Sequence, residues 1–83
     1  MALTVKLYAL STCIHCKAVK KFLNEHNVEY DFLDVDLLHG AEQAALIEEV
    51  KQFNPGCSFP TILIGNKIIV GFREQMVREA LGL

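Results

Sequence analysis

A chain of 83 residues supports one small domain with a modest core, and its 52% hydrophobic content excludes a disordered polymer. A net charge of −2 gives no electrostatic ground for binding nucleic acid or an anionic membrane. Three cysteines, an odd number, do not suit the even disulfide framework of a small secreted protein and favour an intracellular use of the close pair. The N-terminus lacks the basic region and cleavage site of a signal peptide. No apolar run approaches the ~20 residues of a membrane span. The expectation is a single domain over residues 1–83, cytoplasmic and monomeric.

Leu3, Val5 and Leu7 alternate with Thr4, Lys6 and Tyr8, the period of a strand with one buried face. Leu10-Ser11-Thr12 makes a polar connection in which Ser11 or Thr12 can cap the next helix. From Cys16 the period lengthens: Val19, Phe22, Leu23 and His26 form a helical stripe, with Lys17, Lys20 and Lys21 on solvated faces and Asn27 as the stop. Val28 to Asp36 returns to period two, with Val28, Tyr30 and Phe32 on one side. The acids Glu29, Asp31, Asp34 and Asp36 crowd that stretch. His39-Gly40 breaks the chain before a second helix, Ala41 to Phe53, whose stripe is Leu46, Ile47, Val50 and Phe53. Asn54-Pro55-Gly56 ends it.

Thr61–Ile64 and Lys67–Val70 are β-branched runs around Gly65-Asn66, a hairpin signal. Gly71-Phe72 leads into a short helix, Arg73 to Leu81, expected to bury Met76, Val77, Ala80 and Leu81. The order β-α-β-α-β-β-α predicts an α/β fold. A right-handed parallel crossover comes first and an antiparallel hairpin last, giving a four-stranded mixed sheet in a three-layer arrangement.

At the seam between the first strand and the first helix stands Cys13-Ile14-His15-Cys16. Residues three apart in a helical turn share a face, with Cβ atoms about 5–6 Å apart. That is close to the Cα separation of about 5.5–6 Å which a disulfide prefers. The helix start points unpaired N–H groups and the positive end of its dipole at Cys13, which favours the nucleophilic thiolate. In open α/β sheets, ligands collect beyond the carboxyl ends of parallel strands, where this motif lies. His15 and the basic rim of Lys17, Lys20 and Lys21 stand beside it. His26 and His39 read as structural, and Cys57 as a small hydrophobe in a loop. Arg73 opposes the dipole of the last helix, which points to a partner or anion contact. A rival reading takes Cys13, Cys16 and Cys57 with His15 as ligands for zinc or a bridging iron–sulfur cluster. No second Cys-x-x-Cys or His pair supports it.

The Cys-x-x-Cys after the first strand, Ser58-Phe59-Pro60-Thr61 opening the third and a Gly after the fourth together resemble the glutaredoxins, over Leu3 to Leu81. Gly71-Phe72-Arg73 followed by Met76 resembles the NrdH-redoxin branch, hydrogen donors for ribonucleotide reductase. The resemblance implies a thioredoxin-like fold and a thiol–disulfide oxidoreductase in which Cys13 attacks and Cys16 resolves. It implies a cis Pro60 beside the disulfide, with the Phe59 backbone pairing to substrate. The implied substrate-binding set is Thr12, His15, Phe59, Pro60, Gly71, Phe72 and Arg73. Implied partners are disulfide-containing proteins, ribonucleotide reductase among them, with thioredoxin reductase or glutathione as electron source and no tightly bound cofactor.

Three departures bear on glutathione. Ile14 and His15 replace the family's usual Pro-Tyr, and Leu10 and Ser11 stand where a Lys is common. Gly71-Phe72-Arg73-Glu74 replaces Gly-Gly and an acid. These changes weigh on glutathione binding and leave the dithiol chemistry intact.

Overall fold

The computed structural model describes residues 4–83, so Leu3 lies outside the described residues. Strand β1 (Val5–Ala9) leads to helix α1 (Ile14–Glu25), strand β2 (Asp31–Asp34), a 3-10 turn at Val35–Leu37 and helix α2 (Gly40–Phe53). The hairpin β3 (Thr61–Ile64) and β4 (Lys67–Val70) precedes helix α3 (Glu74–Leu81). The sheet order is β2-β1-β3-β4. β1 runs parallel to β2, while β1 with β3 and β3 with β4 are antiparallel. The mixed sheet and the element order are those expected from periodicity.

Alternation along β1 divides the core. Val5, Leu7 and Ala9 join Val19, Phe22 and Leu23 of α1 and Val77 of α3 in one buried cluster. Tyr8 points the other way, to Val35, Leu46 and Val50 under α2. Two helices thus cover one face and a single helix the other. α2 does not reach the outer strand: Ile68, opposite Leu63 in the ladder, and Val70, opposite Thr61, stay exposed.

Five expectations need correction. The strand expected over Val28 to Asp36 is only Asp31–Asp34, because pairing to β1 starts at Lys6↔Asp31. Val28 and Tyr30 still pack on the core, but Phe32 is 50% exposed on the edge strand, with the Lys20 ammonium 4.4 Å from its ring centre. Lys20 is therefore not simply solvated; it makes a 2.9 Å ion pair with Asp34. Met76 is 46% exposed, since the short α3 buries fully only Val77. Finally, neither Ser11 nor Thr12 caps α1; Cys13 does. Among the described residues no helix is long and apolar enough to cross a membrane.

Candidate active site

β1 ends at Ala9, and the chain turns back so that the Cys13 N–H donates to the Leu10 carbonyl at 3.1 Å. Cys13 keeps an extended backbone, φ −79° and ψ 122°, as an N-cap residue does. Its sulfur takes the role usually filled by a hydroxyl, accepting the Cys16 N–H at 3.4 Å. Its carbonyl accepts the Lys17 N–H at 3.0 Å and starts the helical ladder. One turn on, Cys16 is 0% exposed, and its sulfur accepts the Leu10 N–H at 3.5 Å. Leu10 therefore holds both cysteines through its two main-chain groups.

These surroundings split the acidities of two chemically identical thiols. Desolvation pushes Cys13 up, but hydrogen bonds from the Cys16 side chain and from the Cys16 and His15 N–H groups outweigh it, leaving the thiol below its ordinary value. Burial drives Cys16 the other way, to about 11, against the Leu10 N–H and the Lys20 charge and with the help of Cys13. Cys13, half-buried, is thus the more acidic of the two, and Cys16, beneath it, the less acidic. Both cysteines are free.

The Phe59–Pro60 bond is cis, as the family resemblance implied. The Pro60 carbonyl accepts the Gly71 N–H at 2.8 Å, tying the loop after β4 to the start of β3. Gly71 has φ +82°, a conformation that suits glycine and strains residues bearing a Cβ. Phe59 and Phe72 are half-buried against the core cluster that also receives Cys13. Phe72 lies 5.8 Å, ring centre to ring centre, from Phe22 of α1. Thr12, Ile14, His15 and Arg73 are exposed. Arg73 is the N-cap residue of α3 and makes no side-chain cap bond; Glu74 supplies the acid of the first turn.

Cys57 does not join this group. It packs against the cluster under α2, whereas Cys13 packs against the one under α1 and α3. Among the described residues no three His, Cys, Asp or Glu side chains come together in a metal-holding arrangement, so the ligand-set reading is not favoured.

Two polar anchors are invisible in the sequence. The Asp36 carboxylate accepts both the N–H and the hydroxyl of Ser11, at 2.8 and 2.5 Å. Asn54, buried at the end of α2, donates to the Ser58 carbonyl and hydroxyl and to the Thr61 hydroxyl. By sequence Asp36 is one acid among several, and Asn54 only a helix stop.

The glutaredoxin family model matches residues 5–69. This chain belongs to the glutaredoxin family. The glutaredoxin-like protein NrdH of Lactococcus lactis is 37% identical over 71 residues, 86% of this chain and 90% of that one. The crystal structure of Methanosarcina acetivorans methanoredoxin matches at a TM-score of 0.91 and 44% identity, covering 96% of this chain and 85% of that one. A glutaredoxin from Methanosarcina mazei matches at 0.87 and 48%, covering 96% and 79%. This glutaredoxin-family chain has the thioredoxin-like fold and is a thiol–disulfide oxidoreductase of glutaredoxin/NrdH type, with Cys13 and Cys16 in the Cys-x-x-Cys position.

Proposed function

We propose that the protein reduces disulfides in other proteins by two successive exchanges. The Cys13 thiolate attacks a substrate disulfide, forming a Cys13–substrate disulfide and releasing the first substrate sulfur as a thiolate that takes up a proton. Cys16 then loses its proton and attacks the Cys13 sulfur, closing the Cys13–Cys16 disulfide and releasing the second substrate sulfur. Two electrons pass to the substrate, and an external reductant restores the dithiol. The observation that carries this reading is the placement of the two sulfurs: Cys13 is half-buried at the cap of α1 and accepts the Cys16 N–H, which favours its thiolate, while Cys16 is fully buried beneath it, which favours its thiol.

The substrate's cysteine-bearing segment docks across Thr12, His15, Phe59, Pro60, Gly71, Phe72 and Arg73. Among the described residues Lys6, Lys20, Lys21, Lys51 and Arg78 are each ion-paired, whereas Lys17, Lys67 and Arg73 stand exposed outside those pairs, Lys17 in α1 one residue past Cys16 and Arg73 at the N-cap of α3. Lys17 and Arg73 would speed the approach of an acidic partner. Gly71-Phe72-Arg73 and the NrdH relative support ribonucleotide reductase as a substrate and thioredoxin reductase as the reductant. The replacements at 10, 11, 14, 15 and 72–74 weigh against glutathione. The protein works without a tightly bound cofactor, as a monomer, in the cytoplasm.

Trapping tests the reaction. Cys16→Ser is expected to accumulate a mixed disulfide through Cys13, from which mass spectrometry identifies the partner. Turnover surviving Cys13→Ser would overturn the reading. The reductant is tested by supplying NADPH with thioredoxin reductase or with glutathione and its reductase; the first is expected to sustain turnover, and turnover with the second alone would reverse that assignment.

A further inference from the structure

The second exchange poses a problem that the motif alone does not solve. Cys16 is fully buried, and a buried thiolate is costly unless hydrogen bonds receive its charge. While Cys13 is itself ionised it also holds the Cys16 proton in place, by hydrogen bonding and by charge. Once Cys13 is bound to substrate, that opposition is gone. Desolvation then acts against the two remaining stabilisers, the Leu10 N–H at 3.5 Å and the more distant charge of Lys20, which is paired to Asp34.

The Leu10 N–H lies just past the end of β1, where the sheet no longer fixes it. What fixes the turn is its neighbour. Ser11 is gripped through both N–H and hydroxyl by Asp36, which lies after β2 in the 3-10 turn, 25 residues along the chain. These bonds also keep Asp36 ionised, since Ser11's hydroxyl and then its N–H lower the carboxyl below its ordinary value.

We propose that Asp36 is a positioning residue for the second exchange: by clamping Ser11 it keeps the Leu10 N–H aimed at Cys16 Sγ and so stabilises the buried sulfur as it attacks. This rests on the two-exchange reaction proposed for the Cys13/Cys16 pair. The Leu10 carbonyl also receives the Cys13 N–H, but the donors that reach the Cys13 sulfur come from Cys16 and His15 inside α1, so its acidity is spared.

A bare electrostatic effect has the opposite sign. Removing a nearby negative charge eases ionisation of a thiol, whereas removing the clamp hinders it. Asp36→Asn separates the two. It discards the charge but keeps an acceptor oxygen for the Ser11 N–H and a donor for its hydroxyl.

In a Cys57→Ser parent, which stands in for wild type throughout this test because Cys57 is a third free thiol, the aromatic disulfide of Ellman's reagent resolves the exchanges as two releases of thionitrobenzoate in stopped flow, the first from attack by Cys13 and the second from closure by Cys16. In Asp36→Ala the first phase is expected to keep its rate. The second should slow by about threefold at neutral pH, a tenfold loss of thiolate for each unit of pKa being offset by about a threefold gain in nucleophilicity. Its pH profile should move up by about one unit. Asp36→Asn should stay near wild type, and Ser11→Ala, which removes the hydroxyl bond alone, should shift the second phase less in the same direction. Ser11→Ala also serves if Asp36→Ala does not fold. An unchanged second phase, equal slowing of both phases, or Asn behaving like Ala would overturn the role of Asp36. A wild-type protein giving no second release would instead overturn the two-exchange reaction, and this inference with it.

Discussion

The N–H of Cys16 points at the sulfur of Cys13 from 3.4 Å, so one member of the pair helps ionise the other. Titration of the reduced protein should show one thiol ionising below the ordinary value of 9.0 and a second near 11. Alkylation near neutral pH should modify Cys13 and spare Cys16. Cys16→Ala should raise the Cys13 value, because the side-chain donor is lost, while Cys16→Ser should retain most of the effect. The two thiols also set opposite slopes of stability against pH. Cys13 contributes stability that is complete above 9.0 and lost as pH falls through its lower folded value. Cys16 contributes stability that is complete below 9.0 and lost as pH rises towards about 11. Denaturant midpoints of the reduced form across the alkaline range should decline over that second window; in Cys16→Ala the decline should be smaller and should begin only near 10, where the raised Tyr8 and Lys6 take over.

Phe22 joins α1 to the loop and helix on the far side of the motif. It is buried, with His26 at 4.4 Å, Phe72 at 5.8 Å and the Arg78 guanidinium at 5.0 Å from its ring centre. Phe22→Ala should cost about 3–5 kcal/mol. That is a large share of the about 5–15 kcal/mol that holds a small domain together. Chemical denaturation would measure it, and hydrogen exchange at Phe72 and Arg73 should quicken more than in α2.

Asn54 holds the loop ahead of the cis-proline by donating to three oxygens of Ser58 and Thr61. Asn54→Ala removes three bonds at a buried position, at about 1–3 kcal/mol, although the Ser58 carbonyl keeps the Thr61 hydroxyl at 2.8 Å. Asn54→Asp should be worse, since it buries a charge and sets a carboxylate, with no donor to offer, against the Ser58 carbonyl. Melting temperatures should therefore fall in the order wild type, Ala, Asp; an Asp variant as stable as the Ala variant would contradict this account.

Lys20 pairs with Asp34 at 2.9 Å, with only 22% and 12% of the two side chains exposed, and its charge favours ionisation of Cys16. Lys20→Met removes that charge and leaves a carboxylate without its partner. It should lower stability by about 1–3 kcal/mol and raise the upper thiol ionisation. A thiol titration with an unmoved upper step would remove Lys20 from the electrostatics of the site.

How much of this is legible in the chain depends on distance along it. β1, α1 and the hairpin announce themselves because period two and the 3.6-residue repeat are local patterns, and Cys13 with Cys16 because a spacing of three is local as well. Alternation overstates β2: Val28 and Tyr30 do reach the core, but Phe32 sits half-exposed on an edge, beside Lys20 and the Tyr30 ring. Helical spacing predicts a buried Met76, yet a helix as short as α3 turns little of its surface inward. The clamp between Ser11 and Asp36 spans 25 residues, and polar residues in turns carry no period that would announce it. The Cys13 cap is hidden for another reason: its sulfur does what serine and threonine usually do, and both stand immediately before it.

The outer strand β4 leaves Ile68 and Val70 in water because α2 stops short of it. Such a margin, greasy and with vacant main-chain groups, is where neighbouring molecules could stack into fibrils. Here it is four residues long and opens on an exposed lysine, Lys67. So short a foothold, guarded by a cation, resists that fate.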